Sequence, residues 1–222
     1  MAPLRFLSLG LFACGLFVAV TTSDVTAQAK ASDSEVAYKL GQAMRVRIAV
    51  SYNTKSGKTI PAYHCRHAPG GCESRLSTFA QYLVEAGSQY GVDPWLMAAM
   101  AFKESGFNPF ALGSLGEMGI LQINPERRDA VNVRFIRDEW YRRRCRKEPG
   151  ACQREVVHHA AQLLGRAFER CERDVKDALG MYNTGRCGGN IGYSKRILAE
   201  RDELLRAAGV LPGEPVAVAA GG

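Results

Sequence analysis

An apolar helix that ends in a single carboxylate constrains this sequence more than any other feature. Asp93 is a favourable N-cap and Pro94 suits the first helical position, so a helix is predicted over residues 94–105 (PWLMAAMAFKES). At helical spacing, Glu104 shares a face with Met97 and two further apolar residues. A carboxylate among apolar side chains costs free energy unless it is paired, lies at a rim or has a function.

The position of Glu104 also favours its protonated form. It falls in the last turn of the helix, near the negative end of the helix dipole, and partial burial acts in the same direction. Both effects raise the pKa of the carboxyl, which suits a group that must donate a proton near neutral pH. The alternative is an exposed terminal acid beside Lys103, or a cap for the next element. The helix alone leaves both interpretations open.

The first residues have the three-part pattern of an export signal. Residues 1–5 form a short basic segment, and residues 6–20 form an apolar run of 15 residues. Small residues around Ala27 then offer a cleavage site. We therefore expect a signal peptide over residues 1–27 and a periplasmic or secreted protein. An uncleaved membrane anchor is the alternative, but the run is short of a full membrane span. Lipid attachment at Cys14 is disfavoured because the apolar run continues beyond it.

Six cysteines remain after Cys14, and an even set in an exported chain predicts disulfides. Proximity in the sequence favours the pairs Cys65–Cys72, Cys145–Cys152 and Cys171–Cys187. A zinc site is the competing interpretation, built from His64, Cys65, His67 and Cys72. The spacing of those four residues fits no common zinc pattern.

The remaining pattern predicts a mainly α single domain. Further helices are expected over residues 75–90, 151–169, 175–182 and 194–208. Residues 45–50 either form a short strand or extend a helix that begins near Glu35. We expect an N-terminal extension over residues 28–75, one domain over residues 76–208 and a mobile tail over residues 209–222.

Three ordered motifs carry a resemblance to a known family. The first is ESGFNP at residues 104–109, the second is SLGEMGILQ at residues 114–122, and the third is MYNTG at residues 181–185, followed by Tyr193. This pattern resembles the catalytic domain of the soluble-type (Slt) lytic transglycosylases, which have a goose-type-lysozyme-like fold. The resemblance covers about residues 76–200. The YNTG form is most similar to the small transglycosylases that accompany secretion machines.

The resemblance implies a reaction and a set of site residues. The family cleaves the bond between N-acetylmuramic acid and N-acetylglucosamine in peptidoglycan, and its catalytic Glu falls on Glu104. That carboxyl would act first as acid and then as base, while the muramic 6-hydroxyl attacks its own anomeric carbon to give a 1,6-anhydro product. Gln122 would bind sugar substituents, and Tyr182 and Asn183 would orient Glu104 or bind the muramic sugar.

Two positions depart from the family pattern. The usual Ser nine residues after the catalytic Glu is Gly113 here, so Ser114 either takes over its contact or the contact is lost. Glu117 stands where a small residue is common. It is either a second carboxylate in the cleft, which would permit water-using muramidase chemistry, or an exposed loop acid, the interpretation that we favour.

The net charge of the chain and the absence of several known motifs limit the binding partners that we expect. The net charge is +7, with the densest basic cluster at residues 142–147, and such a surface suits the free carboxylates of peptidoglycan peptides. We expect peptidoglycan glycan strands as the partner, with a secretion or other envelope-spanning complex as a further one, and no nucleic acid. We find no P-loop, dinucleotide fingerprint or Ser-His-Asp motif, and we expect no cofactor and no metal. A non-catalytic peptidoglycan-binding or scaffold module remains the alternative from another class.

Overall fold

The computed structural model describes residues 22–50, Cys65 and 71–211. The long helices of the described residues are α1 (Thr22–Val50), α2 (Gly71–Tyr90), α3 (Pro94–Ser105), α7 (Arg154–Arg170), α8 (Val175–Thr184) and α9 (Ile191–Ala207). Between α3 and α7 lie a 3-10 helix (Arg128–Asn132) and the short helices α4 (Arg134–Arg137), α5 (Glu139–Arg144) and α6 (Pro149–Cys152). Within these residues extended pairing is limited to isolated bridges of Met118 with Leu112 and Ile123. The predicted mainly α class is confirmed.

Helix α3 has the predicted bounds, and its start is fixed by the predicted N-cap. The side chain of Asp93 accepts a hydrogen bond from the backbone N–H of Trp95 at 2.9 Å. The helix ends at Gly106, whose φ of 61° is left-handed. Residues 94–101 are all buried. The apolar part of α3 is therefore core, and only its last turn reaches the surface that carries Glu104.

The other long helices pack around α3. Helices α2 and α9 contact α3 directly, α1 lies against α2 and α9, and α7 packs against α2 and α8. A buried ion-pair network joins three of them, because Glu200 of α9 binds Arg47 of α1 (Nε to Oε1, 2.6 Å) and Lys103 of α3 (Nζ to Oε2, 2.9 Å). Lys103 is thus paired with Glu200 rather than with its neighbour Glu104.

Two of the expected elements differ from the structure. Residues 45–50 form the end of α1, so the strand interpretation of that segment is wrong and the helical one is confirmed. The helix expected over residues 151–169 is broken into α6 and α7 at Gln153. Gln153 is completely buried, and its side chain bonds to the loop after α3, a contact that helical periodicity does not encode.

The three disulfides expected from sequence proximity are confirmed. The Cα atoms are 4.8 Å apart in Cys65–Cys72, 5.9 Å in Cys145–Cys152 and 5.7 Å in Cys171–Cys187. The zinc interpretation is wrong for Cys65 and Cys72, since each sulfur is bonded to the other. Its two histidines, His64 and His67, lie outside the described residues.

The expected signal peptide and tail lie mostly outside the described part of the chain. Only residues 22–27 of the first and residues 209–211 of the second are described. Across the described residues, no helix combines the length and the apolar character needed to cross a membrane.

Candidate active site

The last turn of α3 opens into a cleft with a cavity volume of about 390 Å³. All six residues that the sequence predicts for the site line this cavity, namely Glu104, Ser114, Glu117, Gln122, Tyr182 and Asn183. They come from α3, from the Gly-rich loop after it and from the end of α8. The structure therefore brings together residues that are as far as 79 positions apart in the chain (183 − 104).

Glu104 is half-buried at the wall of the cleft, so the interpretation of this residue as an exposed terminal acid is wrong. The hydroxyl of Tyr193 donates a hydrogen bond to its Oε1 at 2.7 Å. Tyr193 lies in the first turn of α9, where its backbone N–H is bound by the N-cap side chain of Asn190 at 2.9 Å. The helix cap thus fixes the residue that contacts the carboxylate.

The surroundings raise the pKa of Glu104 above its ordinary value of 4.5. Burial is the largest cause, the hydrogen bond from Tyr193 lowers the pKa, and the negative charge of Glu117 raises it again. The predicted direction is confirmed. Burial also raises the pKa of Tyr193, so its hydroxyl stays protonated and can keep donating to the carboxylate.

Tyr182 and Asn183 lie in the cleft, but both already have partners. The hydroxyl of Tyr182 donates to the backbone oxygen of Leu121 at 3.2 Å. The side-chain oxygen of Asn183 accepts from Asn190 at 2.8 Å, and Asn183 is exposed. The tyrosine that bonds to Glu104 in the structure is therefore Tyr193 and not Tyr182.

Gln122 supports the Gly-rich loop from inside. Its φ of 47° is in the left-handed region. Its Nε2 donates to the backbone oxygens of Ala111 at 3.1 Å and Gly119 at 3.0 Å. The nitrogen of the side-chain amide is therefore used within the loop. The carbonyl oxygen lies towards Gly113, where a Cβ atom would approach it to 2.8 Å.

The side chain of Glu117 lies over Gly113. The carboxylate of Glu117 accepts from the backbone N–H of Leu115 at 3.0 Å and packs over Gly113, so closely that a Cβ there would clash with it. Glu117 is half-buried and lines the same cavity as Glu104, so our interpretation of Glu117 as an exposed loop acid is wrong. Ser114 is exposed at the rim.

Two supporting residues hold the Gly-rich loop against the end of α3. The hydroxyl of Ser105 lies 3.0 Å from the oxygen of Ala101 and 2.9 Å from that of Ile120. The buried side chain of Gln153 accepts from the N–H of Ile120 at 3.0 Å and donates to the oxygen of Pro109 at 3.3 Å. These bonds fix the loop that carries Gln122 and Glu117.

Sequence reasoning missed several of these residues. Ser105 and Tyr193 belong to the quoted motifs, so a pattern could have identified them. Gln153 and Arg127, which also lines the cavity, have no such pattern around them. Across the described ranges, no group of three or more His, Cys, Asp or Glu side chains is placed to hold a metal ion.

Comparison with known proteins gives two matches. The family model described as "Transglycosylase SLT domain" matches residues 81–195, just over half of the chain. "Membrane-bound lytic murein transglycosylase F 1" of Alkalilimnicola ehrlichii is 26% identical over 133 residues. That alignment covers 57% of this chain and 24% of the relative, so the chain spans about a quarter of the relative's length. No solved structure matches the chain.

Proposed function

The chain belongs to the transglycosylase SLT domain family, whose domain is lysozyme-like, and from this premise we propose that it is a peptidoglycan lytic transglycosylase with Glu104 as its only acid and base. One observation carries the proposal. A half-buried carboxyl of raised pKa lies in a cleft, and a tyrosine hydroxyl that stays protonated donates to it at 2.7 Å. The same carboxyl can therefore be held protonated for the first step and stabilised as a carboxylate for the second.

In the first step, protonated Glu104 gives its proton to the oxygen that links the muramic sugar to the next N-acetylglucosamine. The bond from the anomeric carbon to that oxygen breaks, and the N-acetylglucosamine leaves with a new 4-hydroxyl. The acetamido oxygen of the muramic sugar can stabilise the positive charge that develops at the anomeric carbon. The raised pKa of Glu104 supports this step because it increases the protonated fraction near neutral pH.

In the second step, the Glu104 carboxylate takes the proton of the muramic 6-hydroxyl. The oxygen of that hydroxyl then bonds to the anomeric carbon, which gives the 1,6-anhydro sugar and returns Glu104 to its protonated form. The nucleophile belongs to the substrate, so no water is consumed and no second carboxylate is required. Tyr193 donates to Glu104 while it is negatively charged between the two steps.

We assign substrate contacts to the other residues of the cleft. The carbonyl oxygen of Gln122 can accept from a sugar hydroxyl or amide, since its nitrogen is bound to the loop. Ser114 and Asn183 can bind sugar hydroxyls at the exposed rim. Tyr182 forms a wall of the cleft. Glu117 can accept from a sugar hydroxyl beside Glu104.

Glu117 also supports a second candidate function, a muramidase of the same fold that uses water. A second carboxylate in the cavity could position a water molecule for attack on the anomeric carbon. We favour the transglycosylase because Glu117 is already bound to the Leu115 N–H and packed over Gly113, which restricts its movement towards a substrate.

Mass spectrometry of the fragments released from purified sacculi tests the proposal. Fragments that end in 1,6-anhydro-muramic acid support the transglycosylase, and fragments with reducing ends support the muramidase. Binding to sacculi without release of any soluble fragment would overturn both and favour a non-catalytic peptidoglycan-binding or scaffold module.

We further propose a location and an organisation for the chain. The pattern of residues 1–27 supports export with a cleaved signal peptide, which would bring the enzyme to its substrate in the periplasm. Residues 76–208 would form the catalytic domain, and residues 28–75 its N-terminal extension. A secretion or other envelope-spanning complex would be its partner.

A further inference from the structure

A second cavity of about 390 Å³ adjoins the catalytic cleft. Arg127, Leu163 and Tyr182 line both cavities, so the second one lies directly beyond this shared wall. We call it the arginine cavity; its other lining residues are Asp129, Arg166, Ala167, Arg170, Met181 and Gly185. A polymer bound in the cleft would have the arginine cavity beside it.

The arginine cavity is positively charged. Three arginines line it together with one acidic residue, Asp129. Asp129 binds Arg127 (Nε to Oδ1, 3.3 Å) and Arg166 (Nη2 to Oδ2, 2.8 Å). Among the described residues Arg170 has no ion-pair partner. The cavity therefore keeps an excess of two positive charges (three guanidinium groups less one carboxylate) at its lining.

The nearby His159 does not change this charge. His159 lies behind Asp129, with its Nε2 at 3.8 Å from Oδ1, and it is buried. Burial lowers the pKa of His159, so it is neutral near pH 7. Asp129 has a lowered pKa, so it stays ionised and holds Arg127 and Arg166 in place. The charge of the cavity is thus constant across the neutral pH range.

We propose that the arginine cavity binds carboxylates of the peptide stem attached to the muramic sugar in the cleft. This inference rests on the proposed function, which puts a peptidoglycan strand in the adjoining cavity. The stem leaves the muramic sugar through its lactyl group and carries free carboxylates along its length. A guanidinium binds a carboxylate with two parallel hydrogen bonds, and Arg170 is available for such a pair.

The arginine cavity would then make this enzyme selective for glycan that still carries its peptides. Bare glycan would bind through the cleft alone, whereas stem-bearing glycan would bind through both cavities. The selectivity would appear in affinity rather than in the chemical step, because the arginines act on the stem and not on the bond that breaks.

Binding to an inactive variant tests the inference without turnover. The probes are soluble, uncross-linked peptidoglycan strands with their stems, and the same strands after an amidase has removed the stems. In the Glu104→Gln background, Arg170→Gln should raise the Kd for stem-bearing strands about five- to tenfold, in keeping with the loss of a charged hydrogen bond from an exposed side chain. The Kd for stripped strands should not change. Arg166→Gln, made separately, should act in the same direction.

Arg137→Gln is the matched control. Arg137 is exposed at the end of α4 and lines neither of the two cavities, so this variant removes the same charge without touching the proposed site. An equal rise in Kd for Arg137→Gln would mean that net charge alone attracts the strands, and would overturn the inference. The inference would also be overturned if Arg170→Gln and Arg166→Gln left the Kd unchanged for both kinds of strand. An equal rise in Kd for stem-bearing and stripped strands would overturn it as well, since stripped strands have lost the stem carboxylates and keep only the lactyl one. Failure of the proposed function would give a different result, because the unmodified enzyme would then cleave neither kind of strand.

Discussion

The hydroxyl oxygen of Tyr193 lies 2.7 Å from Oε1 of Glu104, although 89 residues separate them in the chain. This contact joins the start of α9 to the end of α3. Burial and the negative charge of Glu117 raise the pKa of Glu104, and the tyrosine lowers it, so the proton affinity of the carboxyl is set by opposed effects. Tyr182, Glu117 and Arg127 line the same cavity around it.

The substitution Tyr193→Phe should change both the rate and its pH dependence. Loss of a hydrogen bond to a charged group costs about 1.5–3 kcal/mol, so kcat should fall roughly ten- to a hundredfold. The pKa of Glu104 should rise, because the donor that lowers it is gone, and the alkaline limb of the activity profile should move to higher pH. Tyr182→Phe is the control: its hydroxyl binds Leu121 instead, so the limb should stay in place. An unmoved limb in Tyr193→Phe would contradict the assignment.

The substitution Glu117→Gln should move the same limb in the opposite direction. Removing the negative charge lowers the pKa of Glu104, so activity should be lost at a lower pH than in the unmodified enzyme. The glutamine oxygen can still accept from the Leu115 N–H, which keeps the loop in place. Activity on the acidic side should remain within a few fold. Loss of turnover at every pH would instead make Glu117 a second catalytic carboxylate.

The substitution Gly113→Ser should displace the Glu117 carboxylate, with a smaller effect when Glu117 is shortened. A Cβ at residue 113 would approach the ends of the Glu117 and Gln122 side chains, both of which can rotate away, so we expect a loss of at most about 1 kcal/mol of folding free energy. In Gly113→Ser/Glu117→Ala the nearer of the two obstacles is gone, so part of that loss should be recovered. Urea denaturation of both single variants and the double variant measures the coupling between the two sites. Strictly additive effects would show that the two residues do not compete for the same space.

The substitution Gln153→Leu should loosen the Gly-rich loop. It leaves the Ile120 N–H and the Pro109 oxygen without their partner, at about 1–3 kcal/mol for each buried group. We expect a lower free energy of unfolding in urea and a lower kcat, since the loop positions Gln122 and Glu117. Gln162→Leu, an exposed change of the same kind on α7, the helix that Gln153 precedes, should alter stability by less than about 0.5 kcal/mol. Equal effects of the two substitutions would argue against a special role for Gln153.

Local sequence patterns predicted the long helices near the site, but not the short ones between α3 and α7. An N-cap and a proline at the first position gave α3 its correct start, because both act within a few residues of the helix end. Short disulfides were predictable for the same reason. The break at Gln153 was not, because it depends on a bond to Ile120, 33 residues earlier.

The sequence predicted residues that lie together in one cleft, but it did not predict the hydrogen bonds among them. All six residues that the motifs indicated line the cleft, but the motifs did not show which tyrosine contacts Glu104, since that depends on how α8 and α9 pack. Glu117 was misjudged because a loop acid gives no periodic pattern, and its burial follows from the backbone path around Gly113. Arg127 was missed because it enters the cleft from a segment without any recognised motif.

The most direct test of the central claim is the rate at which Glu104→Gln releases soluble fragments from purified sacculi. If Glu104 is the only acid and base, the rate should fall at least about a hundredfold. The fold should survive this substitution. Because the pKa of Glu104 is raised on folding, ionisation of the carboxyl lowers the stability of the folded state as pH rises above 4.5. The variant should therefore be at least as stable as the unmodified protein at pH 7. Near-normal release by a folded Glu104→Gln variant would contradict the account.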